Sequence, residues 1–263
     1  MRIKLHFELE NNIIQKDYRI LILSFIKNSL EKNFEKSYKE IYESEDKPIM
    51  KFFTFSVYLP KPKIEKDKIE LLGGNYFNAV FSIYDNKRFI EFYNSFNSTI
   101  NREIEEDKEN SYPLKNNKMK LKNITMLNEK IISSNRAIIK FLSPLVLRKH
   151  EERTINEKRK GKDIYLDFND SDFDEQLNYS VSRLIKDLKL NGVNSNIKLE
   201  PCKSARKTVV DFKDVSIHSS IGEFVISGES ELLNILYKTG IGGRRGEGFG
   251  MFEVIKELKS EEV

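Results

Sequence analysis

Apolar and polar residues alternate through Ile3, Leu5, Phe7 and Leu9, the period-two pattern of a half-buried strand. Asp17 is placed to cap a helix, and Ile20, Leu21, Leu23, Ile26, Leu30 and Phe34 follow at helical spacing for about four turns. Phe53, Phe55, Val57 and Leu59 predict a second alternating strand, closed by Pro60 and Pro62. A third runs through Phe77, Ala79, Phe81 and Ile83, and Phe89, Phe92, Tyr93, Phe96 and Ile100 then return to helical spacing. After a charged stretch at 103–118, Met119 to Leu127 supplies one more strand. The order is β-α-β-β-α-β.

The same order returns in the second half. Ile138 to Leu147 reads as a strand, and Ser171-Asp172-Phe173-Asp174 opens a helix with a pattern like a capping box. That helix continues through Leu177, Val181, Leu184, Ile185 and Leu188 to Asn191-Gly192. Strands are expected at Ile197–Cys202 and through Val209–Ile226, with Ser219-Ser220 or Gly222 turning a hairpin. Glu229 to Tyr237 reads as a short helix stopped by Gly240, and Phe249 to Ile255 as the last strand. The fold class is therefore α+β, two tandem ferredoxin-like domains, 1–128 and 129–263, the second carrying a C-terminal glycine-rich loop. Open antiparallel sheets of this kind can display side chains to single-stranded bases.

Composition narrows the setting. Hydrophobic residues at 39%, with 18 Phe, fit a globular chain. No apolar run approaches the roughly 18 residues of a membrane span, and the alternation after Met1 does not fit a signal peptide. The single cysteine, Cys202, cannot form an internal disulfide, so a cytoplasmic location is expected. No His or Cys pair has metal-ligand spacing, and neither a cofactor nor a metal is expected. A net charge of +4 is too small to imply nucleic acid by itself, so the placement of charge matters more.

Thr239-Gly-Ile-Gly-Gly-Arg-Arg-Gly-Glu-Gly-Phe-Gly250 is the most informative segment. Six of the chain's 12 glycines fall between positions 240 and 250, which implies positive φ and close approach to another backbone or ligand. The loop runs from a helix into a strand, the reverse of a dinucleotide fingerprint, and it lacks the Gly-Lys-Ser/Thr of a P-loop. Arg244 and Arg245, with exposed loop amides, suit a phosphate backbone. The alternative is a tight structural crossover with exposed arginines.

The loop resembles the C-terminal glycine-rich loop of the repeat-associated (RAMP) superfamily, and more narrowly that of the endoribonucleases that process CRISPR precursor transcripts. Phe52-Phe-Thr-Phe-Ser56, Ser143-Pro-Leu-Val-Leu-Arg148 and Gly222-Glu-Phe-Val-Ile-Ser-Gly228 resemble other family segments, in the expected order. The resemblance implies metal-independent cleavage of CRISPR repeat RNA into guide RNAs, with the product retained. A ribose 2′-hydroxyl attacks the adjacent phosphate, giving a cyclic phosphate. Repeat RNA is the implied partner, other subunits of a CRISPR interference complex are further candidates, and the chain is expected to be a monomer or homodimer with no membrane association. The rival reading is a catalytically inactive repeat-RNA-binding subunit.

Such chemistry needs a base, an acid and a cation. Family members commonly carry a catalytic histidine after the first helix, but 34–51 contains none. The catalytic candidates there are Tyr42, Lys47 and Lys51, with Tyr38 behind them. For RNA contacts the candidates are Arg148, Lys149, His150 and Arg153 from a basic segment with seven Lys or Arg and three Glu between Leu147 and Lys162. Lys203 and Arg206 join them, as do Gly240, Gly242, Gly243, Arg244, Arg245, Gly246 and Gly248 of the loop. His6 is expected on the polar face of the first strand and His218 exposed in a hairpin. The acidic run Asp167–Glu175 is expected to face away from RNA.

Overall fold

The computed structural model describes residues 1–43, 51–105, 114–150, 163–213 and 215–258. They pack as two compact units, Met1–Glu129 with Gly246–Gly248, and Lys130–Arg245 with Phe249–Val263. None of the helices among the described residues is long and apolar enough to cross a membrane.

In the first unit the order is β1 (Arg2–Leu9), β2 (Ile13–Gln15), α1 (Tyr18–Asn33), α2 (Glu35–Tyr42), β3 (Phe53–Tyr58), β4 (Pro62–Ile64), β5 (Lys68–Leu71), β6 (Tyr76–Ile83), α3 (Asn86–Asn97), β7 (Glu103–Glu105) and β8 (Lys118–Met126). The main sheet has the order β3-β6-β1-β8-β7, and all its pairs are antiparallel. Without the short edge strand β7 this is the ferredoxin-like arrangement. Alternation sends Ile3, Leu5, Phe7 and Leu9 into the core, where Phe7 stacks on Phe77 at 4.8 Å and meets Phe25 edge-on at 5.0 Å. Phe81, Phe92 and Phe96 extend the same cluster towards α3.

The second unit runs β9 (Arg136–Phe141), β10 (Leu147–His150), β11 (Asp163–Leu166), α4 (Phe173–Asp187), β12 (Lys198–Pro201), β13 (Arg206–Phe212), β14 (Val215–Ile221), β15 (Glu223–Ser227), α5 (Ser230–Thr239) and β16 (Phe252–Glu257). Its sheet order, β12-β15-β9-β16, repeats the first, again antiparallel. Leu177, Leu184, Leu232 and Leu236 are buried, and Phe141 meets Phe224 and Phe252 edge-on. The chain is thus α+β, with two tandem ferredoxin-like folds.

Several boundaries differ from the sequence reading. The strand expected over Ile138–Leu147 ends at Phe141, where Leu142 and Ser143 both turn their amides to the Met251 carbonyl; Leu147 belongs to a separate ribbon, β10-β11. Asp17 and Asp172 precede helices but make no side-chain cap; the Asp172 carboxylate is taken by Lys149. Asp85 is a true cap, accepting from the amides of Lys87 and Arg88. Helix α4 stops before Asn191-Gly192, because Lys189 already has φ +57°. The hairpin turns at Lys213, not at Ser219-Ser220, which lie inside β14. Gly222, at φ +110°, instead hands the chain from that ribbon to β15. The last strand starts at Phe252, since Phe249 to Met251 still belong to the loop. Part of the charged stretch at 103–118 forms β7.

Candidate functional site

The single long helix expected from Asp17 to Phe34 is followed at once by a second one. Phe34 has φ −144° and ψ 62°, which breaks the helical path and lets α2 start at Glu35. Tyr38, Ile41 and Tyr42 lie three and four residues apart on α2 and pack against the core from one side. The Tyr38 and Tyr42 rings are 5.2 Å apart. Lys51 places its ammonium 4.3 Å from the centre of the Tyr42 ring, and Lys27 of α1 places its own at 5.0 Å. Tyr42 is half-buried overall, yet its phenolic oxygen is enclosed and has no hydrogen-bond partner among the described residues. Burial first, and the neighbouring Tyr38 second, push the Tyr42 phenol well above the usual tyrosine range. Burial also raises Tyr38, with Glu31 and Glu43 adding to the effect.

Gly246–Gly248 sit in this same unit. The stem of Lys51 runs so close to Gly246 that an added Cβ would lie 2.6 Å from Lys51 Cδ. At Gly248, with φ +87°, an added Cβ would lie 2.5 Å from the Phe55 ring. The Gly248 carbonyl accepts from Arg19 Nε at 3.4 Å, and the Arg19 guanidinium lies 4.8 Å from the Tyr18 ring centre. Burial lowers the Arg19 pKa. Tyr38, Tyr42, Lys51, Gly246 and Gly248 are therefore brought to one region. Lys27 and Arg19 join them, and the sequence reading missed both. Lys27 had one legible signal, a polar residue interrupting the apolar run of α1.

In the second unit the rest of the loop is folded tightly. Gly240, at φ +77°, ends α5. The Gly243 amide donates to the Val146 carbonyl at 2.7 Å, and at Gly242 an added Cβ would lie 2.5 Å from that carbonyl. Arg244, itself at φ +53°, donates from Nη2 to the Tyr165 hydroxyl at 2.6 Å and lies 5.9 Å from the Phe212 ring centre. Arg245 is buried: Nη1 donates to the Gly242 carbonyl at 3.1 Å, and Nε has no partner among the described residues. Burial lowers its pKa to about 10, against the opposing effect of Asp187. Arg244 is half-buried against Tyr165 and Arg245 points inward, so the alternative of a crossover with exposed arginines does not describe the loop.

Arg148 and Lys149 lie on β10 and carry acidic partners, Asp163 at 3.1 Å for the first and Asp172 for the second. One member of the acidic run, Asp172, thus stands beside the basic segment. Exposed pairs of this kind contribute little and can exchange one anion for another. Lys203 and Arg206 are exposed around the start of β13. His6 hydrogen-bonds Asn78 through Nδ1 at 2.9 Å, and His218 is exposed on β14. Lys47 and Arg153 lie outside the described residues, as does the side chain of His150.

Residues 127–254 match the family model described as CRISPR associated protein Cas6, C-terminal. The matched stretch covers just under half of the chain. It contains the glycine-rich loop, Arg148, Lys149, Arg206 and Arg244. No curated protein matches the chain in sequence. Among solved structures, the chain is similar to a Cas6-related protein from Pyrococcus furiosus, with 22% identity, 98% of this chain and 99% of that one covered, and a TM-score of 0.81. It is also similar to a RAMP protein described as binding different RNA substrates, with 21% identity, coverage of 97% and 100%, and a TM-score of 0.79. A Cas6 product complex matches at 13% identity, coverage of 97% and 99%, and a TM-score of 0.64. At these identities the structural likeness shows a shared fold alone, over nearly the whole chain.

Proposed function

We propose that the chain binds CRISPR repeat RNA and cuts it within precursor transcripts, without a metal, and keeps the product bound. The observation that carries this reading is the match of residues 127–254 to the Cas6 C-terminal domain. A structural relative is described as binding different RNA substrates, and another as a product complex, which supports RNA as the ligand here.

The reaction forms a bond between the ribose 2′-oxygen and phosphorus and breaks the bond to the 5′-oxygen. One proton leaves the 2′-hydroxyl and another reaches the departing oxygen. Tyr42 is the proton donor in this reading: like any tyrosine it carries its proton at neutral pH, and its ring stands beside the Lys51 and Lys27 ammonium groups. The ammonium groups of Lys51 and Lys27 stabilise the charge that develops on the phosphorane oxygens. Lys47 takes the base role through its minor unprotonated fraction, so cleavage is slow, and Tyr38 supports the Tyr42 ring. Arg148, Lys149, His150, Arg153, Lys203, Arg206 and Arg244 hold the RNA, and the loop glycines fold the tight turn that presents Arg244 to it.

Labelled repeat RNA is incubated with the protein in EDTA, beside the same RNA carrying a 2′-deoxy substitution at the cut site. Cleavage of the first and survival of the second is the expected result. An inactive repeat-binding subunit is the second reading, favoured by the absence of histidine from 34–51. Tight binding with both RNAs left intact would establish it.

A further inference from the structure

Helices α2 and α3 meet through four polar side chains that the proposed chemistry leaves unused. Ser37 and Glu40 are three residues apart on α2 and share a face; Arg88 and Glu91 do the same on α3. The Ser37 hydroxyl donates to Glu91 Oε2 at 2.7 Å. Arg88 Nη1 donates to the same oxygen at 3.2 Å, while its Nη2 donates to Glu40 Oε2. Pairing 37 with 91 and 40 with 88 makes the helices antiparallel at this contact. Ser37 is buried, and the Arg88 and Glu91 side chains are only 25% and 15% exposed. The network is therefore more than a solvated surface pair.

Helix α2 has eight residues, too few to persist by its own propensity. The break at Phe34 turns it off the axis of α1. Its position must come from tertiary contacts: Tyr38, Ile41 and Tyr42 on the core side, and this network on the other. Arg88 is suited to the task because its planar fork reaches two carboxylates at once, which a lysine does less well.

We infer that Arg88, with Glu40, Glu91 and Ser37, forms a positioning network that sets α2 and so holds the Tyr42 phenol beside Lys51 for cleavage. Arg88 is a positioning residue in this account and touches no RNA. The inference rests on the cleavage reading above.

The test uses the full chain with Arg88→Gln and Arg88→Lys. Single-turnover cleavage at saturating protein should fall between about tenfold and a hundredfold in Arg88→Gln, with RNA affinity within about threefold of wild type, as misplacement of a catalytic group predicts. Arg88→Lys should recover part of the rate. Amide exchange across 37–42 should quicken in Arg88→Gln while α1 and β1 stay protected. An unchanged rate would overturn the inference, as would loss of rate in step with affinity and melting temperature. Unchanged exchange in α2 sinks the network whether or not wild type cleaves. Wild-type protein that leaves the RNA intact sinks the cleavage reading, and the catalytic role of the network with it.

Discussion

The Lys51 ammonium lies 4.3 Å from the centre of the Tyr42 ring, whose hydroxyl is buried without a partner among the described residues. A buried polar group left unsatisfied works against stability by about 1–3 kcal/mol. Such a group persists when something other than stability retains it. Tyr42→Phe should therefore leave the melting temperature unchanged or raise it, while single-turnover cleavage drops by about 10²–10⁴, the range for loss of a general acid. RNA affinity should hold. A variant that melts lower and cleaves at the wild-type rate would make Tyr42 a packing residue.

The raised Tyr42 pKa has a definite sign in the pH dependence of folding. The folded phenol keeps its proton above the point where an unfolded tyrosine, at about pH 10, loses it. The stabilisation is thus fully present below about pH 10 and is lost as pH rises beyond it. Denaturant titrations of wild type and Tyr42→Phe between about pH 8 and 11 should diverge only at the alkaline end, with wild type losing more. The difference between the two proteins removes the contribution of the other tyrosines. Parallel curves throughout would contradict the assignment.

Legibility from the sequence followed the length of each apolar pattern. The ferredoxin-like strands and the helices with repeated Phe and Leu were readable because many residues repeat one period. The three-residue strands β2, β4 and β7 were not, since three residues carry no period. The break at Phe34 was hidden because Leu30, Phe34 and Tyr38 keep helical spacing straight across it. Tyr38, Tyr42 and Lys51 were picked out in the sequence as candidates, and the structure places them side by side. Arg19 and Lys27 were missed because an arginine or lysine on a helix reads as a solvated side chain until its neighbours are known. The inward turn of Arg245 was not legible for the same reason: sequence reports a charge, not the direction in which it points.

Two glycines with similar backbones should respond differently to the same change. Gly248, at φ +87°, has the Phe55 ring 2.5 Å from where a Cβ would stand, whereas Gly192, at φ +92°, has nothing within 4 Å. Gly192→Ala should cost only its conformational strain, about 1–2 kcal/mol. Gly248→Ala adds overpacking against a fully buried ring and should cost about 2–4 kcal/mol in all. Equilibrium unfolding in urea separates the two. Equal losses would mean that the Phe55 ring yields at no penalty.

Arg244 and Arg245 are adjacent in sequence, and their surroundings assign them opposite kinds of effect. Arg244 is half-buried beside Tyr165, so Arg244→Ala should weaken RNA binding while stability changes little. If its guanidinium meets a phosphate, the slope of log affinity against log salt should fall by about 0.7, the value for one contact to a single strand. Arg245 is enclosed, with Nη1 on the Gly242 carbonyl and its pKa lowered to about 10 by burial. Arg245→Ala removes that partner and leaves a cavity, so the melting temperature should fall while the salt slope of RNA binding by the folded fraction is preserved. Salt titrations of RNA affinity beside thermal melts test both variants together. A reduced salt slope in Arg245→Ala with an unchanged melt would mean that its guanidinium reaches the RNA after all.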